Sequence, residues 1–303
     1  MIAAGMSALL ALATAAAPLA PPTAGCAACA EWNRPQPPLH VFGNTWYVGT
    51  HGLAAILVTS PAGHVLIDGA LPESAPLIRA SIEKLGFRVD DIALILNSHA
   101  HFDHAGGIAE LQRASGAEVL ATAPSAAVLA RGTSGADDPQ HGELFDYAPV
   151  AKVRVVADGE VVRVGPLALT AHRTPGHTPG GTTWSWQSCE GERCLELVYA
   201  DSLTAISAEG FSFTGSPIVA DFERSYPLLE HLPCDILLTP HPGASDLWER
   251  VAARDGGDRD ALIDGSACRR YAERARAQLR QRLDGEARQR ESAPPAVDAP
   301  ARD

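Results

Sequence analysis

Short apolar runs alternate with stretches of helical spacing along most of the chain. Residues 39–49, with Val41, Trp46, Tyr47 and Val48, read as a strand pair. Residues 54–58 and 65–67 flank the turn Ser60-Pro61-Ala62-Gly63 and predict a hairpin. Leu77, Ile78, Ser81, Ile82 and Leu85 recur at helical spacing, with Gly86 as a left-handed cap. The apolar run 91–97 predicts a buried strand, Ala105-Gly106-Gly107 opens a helical segment over 108–113, and 118–122 is the next strand. Periodicity then stops. Residues 131–149 gather Gly132, Gly135, Asp137, Asp138, Pro139 and Gly142, and a loop of that length in a compact domain tends to be functional or mobile. Residues 153–156 and 160–164 predict a hairpin around Asp158-Gly159. Strands follow at 167–171, 182–187, 195–199 and 234–238, a short helix at 226–232 and a long one at 261–283 with arginines on its outer face. The pattern predicts an α/β chain, with mixed sheets sandwiched between helices in one domain.

The two ends stand apart. Residues 1–30 carry no charge, and the apolar run 8–17 is too short for a bilayer but fits the core of a secretory signal. Ala28-Cys29-Ala30 offers a cleavage site, so residues 1–30 are expected to be a signal peptide and 31–283 the folded domain. A rival site, Thr23-Ala24-Gly25-Cys26, looks like a lipoprotein box, and lipidation of Cys26 would anchor the protein to a membrane. Otherwise no stable membrane contact is expected, and the location is periplasmic. Residues 284–303 are polar and proline-rich without a core-forming pattern, which predicts a disordered tail. Cleavage leaves four cysteines. An even count in an exported chain reads as two disulfides; four cysteines allow three pairings, and Cys189–Cys194 with Cys234–Cys268 is the expected one.

Composition narrows the partners. Apolar content of 46% suffices for a large core, and a formal charge of −12 with no basic patch argues against nucleic acid. The strongest chemistry lies in His99-Ala100-His101-Phe102-Asp103-His104, three imidazoles and a carboxylate within six positions. Neutral imidazole and carboxylate suit zinc, and so dense a run can serve two ions. His177, in Thr174-Pro175-Gly176-His177-Thr178-Pro179-Gly180-Gly181, and His241, in Thr239-Pro240-His241-Pro242-Gly243, each follow a strand in a turn shaped by proline and glycine.

These strings, together with Tyr199-Ala200-Asp201-Ser202-Leu203 and Thr239-Pro240-His241-Pro242-Gly243-Ala244-Ser245, resemble the metallo-β-lactamase superfamily, and subclass B3 within it. The similarity runs from about residue 37 to 280, and the pair Cys234/Cys268 also matches. The resemblance implies an αββα four-layer sandwich with two zinc ions at one edge. His99, His101 and His177 would hold the first ion, and Asp103, His104 and His241 the second. Each ion then keeps an open position, as catalytic zinc does. Asp68 matches the aspartate that orients ligands from behind. The implied activity is hydrolysis of the β-lactam ring of antibiotics, a small-molecule substrate, by a metal-activated hydroxide that Asp103 orients. Ser202 and Thr204 would hold the substrate carboxylate, and Phe211 stands where some relatives carry tyrosine. Two alternatives differ. A lactone or thioester hydrolase of the same superfamily would use Asp201 to bridge both metals. A zinc-storage protein would have closed four-ligand sites, which six ligands at two open sites do not resemble.

Overall fold

The computed structural model of the protein describes residue 23 and residues 25–292. Seven strands form one sheet in chain order: β1 (Leu39–Phe42), β2 (Thr45–Tyr47), β3 (Ile56–Val58), β4 (His64–Ile67), β5 (Ile92–Leu96), β6 (Glu118–Ala121) and β7 (Val153–Val155). The strands are antiparallel up to β4 and parallel from β4 to β7. The second sheet contains β8 (Val161–Val164), β9 (Leu167–Arg173), β10 (Thr182–Glu190), β11 (Arg193–Tyr199) and β12 (Ile236–Leu238) side by side. Its only parallel pair is β11 with β12. The helices are α1 (Cys29–Trp32), α2 (Ala75–Lys84), α3 (Phe102–Ala105), α4 (Ile108–Ser115), α5 (Ala123–Arg131), α6 (Ile218–His231), α7 (Leu247–Asp255) and α8 (Ala267–Ser292). None of them is long and apolar enough to cross a membrane.

Strand alternation builds the layers, because successive side chains point to opposite faces. Ile56, Val58, Val65, Ile67, Leu94, Leu96 and Leu120 face Leu169, Trp184, Trp186, Leu197 and Ile236 between the sheets. Leu57, Leu66, Ile95 and Val119 point the other way, onto α2, α4 and α5. Val198 and Leu237 leave the second sheet toward α6 and α8. The result is the expected αββα sandwich. Each Leu or Ile fully withdrawn from water contributes about 1.5–3 kcal/mol. Two tryptophans join polar groups across this core: Trp186 Nε1 donates to Thr45 Oγ1 at 3.0 Å and Trp184 Nε1 to the Asn97 carbonyl at 3.1 Å.

Several elements differ from the pattern-based reading. Residues 153–156 and 160–164 make no hairpin: β7 pairs with β6 in the first sheet, and β8 pairs with β9 in the second. The intervening turn crosses between layers. Helix α6 begins at Ile218 rather than near 226, with Pro227 inside it where sequence rules favour a boundary. Helices α5 and α7 were not expected; α7 buries only Leu247 fully, so its periodicity is faint. Asp103 and His104 sit in α3, a single turn. Helix α8 starts later than expected, at Ala267, and continues to Ser292, so residues 284–292 are helix and not a disordered tail.

Disulfides Cys189–Cys194 and Cys234–Cys268 form as expected, and Cys26–Cys29 is a third. Cys29 is buried against the α2 side of the core, and the Thr23 amide donates to Glu73. The rest of the expected leader, residues 1–22 and 24, and the tail beyond 292 lie outside the described residues.

Glu286 explains why α8 runs on. Its buried carboxylate accepts hydrogen bonds from the amides of Phe213 and Thr214, the hydroxyls of Ser212 and Thr214, and Arg282. Burial works to raise this carboxyl, but the hydrogen bonds from Thr214, Phe213 and Ser212 outweigh it and hold it at about 2. Glu286→Ala should therefore cost about 2–3 kcal/mol in urea denaturation at neutral pH, because it strands donors made for a charge. The depressed value sets the sign of the pH effect. The stabilisation is fully present above about 4.3, the ordinary glutamate value, and is lost as pH falls toward about 2. Glu286→Gln should flatten that part of the stability profile; an unchanged profile would contradict this role.

Candidate metal centre

Five connections open on one edge of the sandwich, following β4, β5, β9, β11 and β12. They carry Asp68, the run 97–104, His177, Asp201 and His241 respectively. Asp68 has φ 63°, a left-handed conformation uncommon outside glycine, asparagine and aspartate. That bend turns its carboxylate inward. It accepts from the Ser98 amide at 2.8 Å, Ser98 Oγ at 2.6 Å, Asn97 Nδ2 at 3.2 Å and Tyr199 Oη at 2.9 Å. Burial pushes this carboxyl up, and His104 with the hydrogen-bond donors pulls against it. Asn97 Nδ2 also donates to the His99 carbonyl at 2.7 Å, and Tyr147 Oη to the Ala100 carbonyl at 2.8 Å. The ligand run is thus held by its backbone.

The structure brings the sequence-derived donors together. One ring nitrogen each from His99, His101 and His177 lie within 4.8 Å of one another, and so do donor atoms of His99, Asp103 and His104. Asp103 Oδ2 lies 3.3 Å from both His104 Nε2 and His241 Nε2. Two atoms bound to one tetrahedral zinc at about 2.0–2.1 Å sit roughly 3.3–3.4 Å apart, so these spacings are consistent with donors to one ion. His241 is the most exposed of the set and packs beside the Trp32 ring, 5.2 Å between centroids.

Each imidazole of the first cluster is gripped by the nitrogen that faces away from the others. His99 Nδ1 lies 2.7 Å from Asp201 Oδ1, His101 Nε2 2.9 Å from Asp138 Oδ2, and His177 Nδ1 2.9 Å from the Thr204 carbonyl. The free nitrogens are then His99 Nε2, His101 Nδ1 and His177 Nε2. His99 Nε2 is buried without a hydrogen-bond partner, an orphan that a cation would satisfy. Burial, followed by the neighbouring His104, His101 and His177, holds His99 well below the usual imidazole range. Burial and His101 bring His177 down to about 3. Burial would raise Asp103, but His104 and His241 outweigh it and keep that carboxyl well below its ordinary value. Neutral His99 and His177 and an ionised Asp103 are in the protonation states that metal ligation needs. The residues fit a binuclear metal site.

The remaining sequence candidates divide. Ser202 is buried in the connection after β11, directly after Asp201 in the chain. Thr204 lies behind His177, its hydroxyl 3.2 Å from Nδ1. Phe211 turns to Phe213, 5.1 Å between centroids, and packs on the α6–α8 side rather than on the imidazoles. Asp138, Tyr147 and Trp32 were not singled out by sequence. Asp138 and Tyr147 belong to the aperiodic stretch already marked as a functional loop, whereas nothing in the pattern marked Trp32.

A model of the metallo-β-lactamase superfamily matches residues 49–188. The solved Rm3 metallo-β-lactamase is 55% identical, with a TM-score of 0.85, over 87% of this chain and 99% of that one. MEM-A1, a subclass B3 metallo-β-lactamase from a soil metagenome library, is 53% identical, with a TM-score of 0.83, over 85% and 99%. A hydroxyacylglutathione hydrolase of Rhodopseudomonas palustris (strain HaA2) is 31% identical over 173 residues, 57% of this chain and 52% of its own. The chain spans about half the length of the curated relatives it matches. With candidate metal donors at the strand ends and near-complete overlap with the Rm3 and MEM-A1 enzymes, the chain belongs to the metallo-β-lactamase superfamily and to its subclass B3.

Proposed function

We propose that the protein hydrolyses the β-lactam ring of penicillins, cephalosporins and carbapenems, and so confers antibiotic resistance. Two zinc ions would be held by His99, His101 and His177 and by Asp103, His104 and His241. The observation that carries this reading is the place of Asp201. Its carboxylate grips His99 Nδ1, opposite the nitrogen that faces the cluster, and is fully buried there. A carboxylate that bonds the rear nitrogen of a ligand serves to orient that ligand, which favours this reading. The lactone or thioester reading required Asp201 to bridge both metals.

Bound zinc lowers the pKa of water toward 7 and polarises a carbonyl oxygen, which supplies a nucleophile and an electrophile in one place. The chain's own residues do the rest. Asp103 Oδ2 faces His104 and His241, leaving Oδ1 to accept a hydrogen bond from the attacking water and hold it toward the lactam carbon. Ser202, at the mouth of the β11 connection, would bind the substrate carboxylate. Thr204 has a different part: its carbonyl and hydroxyl lie at His177 Nδ1 and fix that ring. An uncharged leader and the Cys189–Cys194 and Cys234–Cys268 disulfides support a periplasmic location. Cys26 is either lipidated or paired with Cys29, and the mass of the mature N-terminus distinguishes the two.

Zinc-loaded protein should consume a carbapenem, followed by loss of the ring absorbance, and a strong chelator should abolish turnover until zinc is returned. His104→Ala should lower kcat/KM at least about a hundredfold. Zinc-bound protein that spares all three β-lactam classes while cleaving a lactone or thioester would sink this reading.

Asp201→Asn should leave two zinc ions bound and KM nearly unchanged, with kcat down about 10- to 100-fold. Loss of one zinc ion by metal analysis would instead make Asp201 a ligand.

A further inference from the structure

The loop between α5 and β7 touches the ligand run at two points, and one of them is a carboxylate. Asp138 is buried, and its two oxygens do different things. Oδ2 accepts from His101 Nε2 at 2.9 Å, while Oδ1 accepts from the Gln140 amide at 2.8 Å and caps the loop's own turn. The Asp138 carbonyl also accepts from the His141 amide at 3.0 Å. Nine residues on, Tyr147 Oη reaches the Ala100 carbonyl at 2.8 Å, between His99 and His101. The same loop holds the connection after β11: the Ala208 amide donates to the Pro139 carbonyl at 2.9 Å, and the Glu209 amide to Glu143 Oε1 at 2.7 Å. Both segments bordering the cluster are therefore hydrogen-bonded to each other and clipped to one imidazole through Asp138.

We propose that Asp138 is a positioning residue that links occupancy of the first metal site to the conformation of the two bordering loops. The inference rests on the metal reading given under the proposed function. Its physical basis is the tautomer. With Nε2–H committed to Asp138, the lone pair of His101 is on Nδ1, facing the cluster. Donation of that lone pair to a cation draws density from the ring and makes Nε2–H a stronger donor, so the bond to Asp138 tightens. Asp138 holds Gln140 with its other oxygen, so the turn and the segment around Ala208 are ordered with it. Linkage makes the effect reciprocal: whatever orders these loops, a bound substrate included, must tighten the first zinc by the same factor.

The test uses the full chain as wild type, Asp138→Ala and Asp138→Asn. Zinc affinity is measured by competition with a chromophoric chelator, and backbone hydrogen exchange over residues 132–149 and 203–211 is followed without and with zinc. Wild type should bind two zinc ions and slow exchange at His141 and Ala208 when zinc is added. Asp138→Ala should weaken the first zinc by about 10- to 100-fold and make exchange over residues 132–149 indifferent to zinc, whereas residues 203–211, still bonded to His177 through Thr204, keep part of their response. Asp138→Asn keeps size and one acceptor, so its loss should be smaller, and it guards against a folding defect in the alanine variant. Wild-type zinc affinity together with a wild-type exchange response in Asp138→Ala would overturn the proposal. So would zinc binding to wild type with no change in either loop. Failure of wild type to bind zinc at all is a different result, and it removes the metal reading and this inference together.

Discussion

Asp68 is the residue through which the two sheets and the ligand run meet. It ends β4, takes the Ser98 amide and hydroxyl at the end of β5, and takes the Tyr199 hydroxyl from β11 in the other sheet. A buried carboxylate with these donors is held rigidly, because each bond lost would leave a charge or a donor unpaired in the core. That rigidity fixes where β5 stops and α3 starts. Within those few residues the chain turns so that His99, His101, Asp103 and His104 face one point, with Ala105 bonded back to His101 and Gly69 to His104. The backbone must approach closely here. A side chain on Gly107 would meet the Gly69 carbonyl at 2.2 Å.

Around this fixed segment the outer partners arrive from distant parts of the chain. Asp201 comes from the second sheet, Asp138 from the long loop and Thr204 from the stretch after β11. Each fixes a ring and its tautomer through the nitrogen that is not a candidate ligand. The separation of roles is strict: local sequence supplies the donors, and tertiary structure supplies their aim. Asp201 follows the same division: its Oδ1 bonds the Nδ1 side of His99.

That division also decides what was legible in the sequence. The donor run is local, so its density gave it away, and His177 and His241 were marked by the prolines and glycines that shape their turns. Strand alternation and the B3-like strings brought the αββα architecture within reach. The pairing of β7 with β6 was not legible, since three residues beside a turn fit a hairpin as well as an edge strand. Helix α8 beyond residue 283 was hidden for a different reason. Its last turns are polar, and Glu286 owes its burial to Ser212, Phe213 and Thr214, partners over seventy positions away. Asp138 is similar. Its partner His101 is 37 positions distant, and nothing in a Gly- and Asp-rich loop distinguishes an inward carboxylate from a solvated one.

A donor cluster of this kind is a local liability for the fold that carries it. His99 Nε2 is buried without a partner, and an unsatisfied buried polar group costs about 1–3 kcal/mol. Four imidazoles crowded around one another also cannot share protons freely, which is why burial and mutual repulsion keep His99 and His177 neutral. The scaffold must therefore hold the donors in place by forces independent of them, namely Asp68, the tryptophan cross-links and the Cys234–Cys268 bond between the β12 strand and α8. A cation binding there relieves the unsatisfied groups without reshaping the backbone, so most of its binding energy goes into the site rather than into folding. An enzyme built this way can keep an open coordination position for its substrate, because closing the last position is not needed to keep the protein folded.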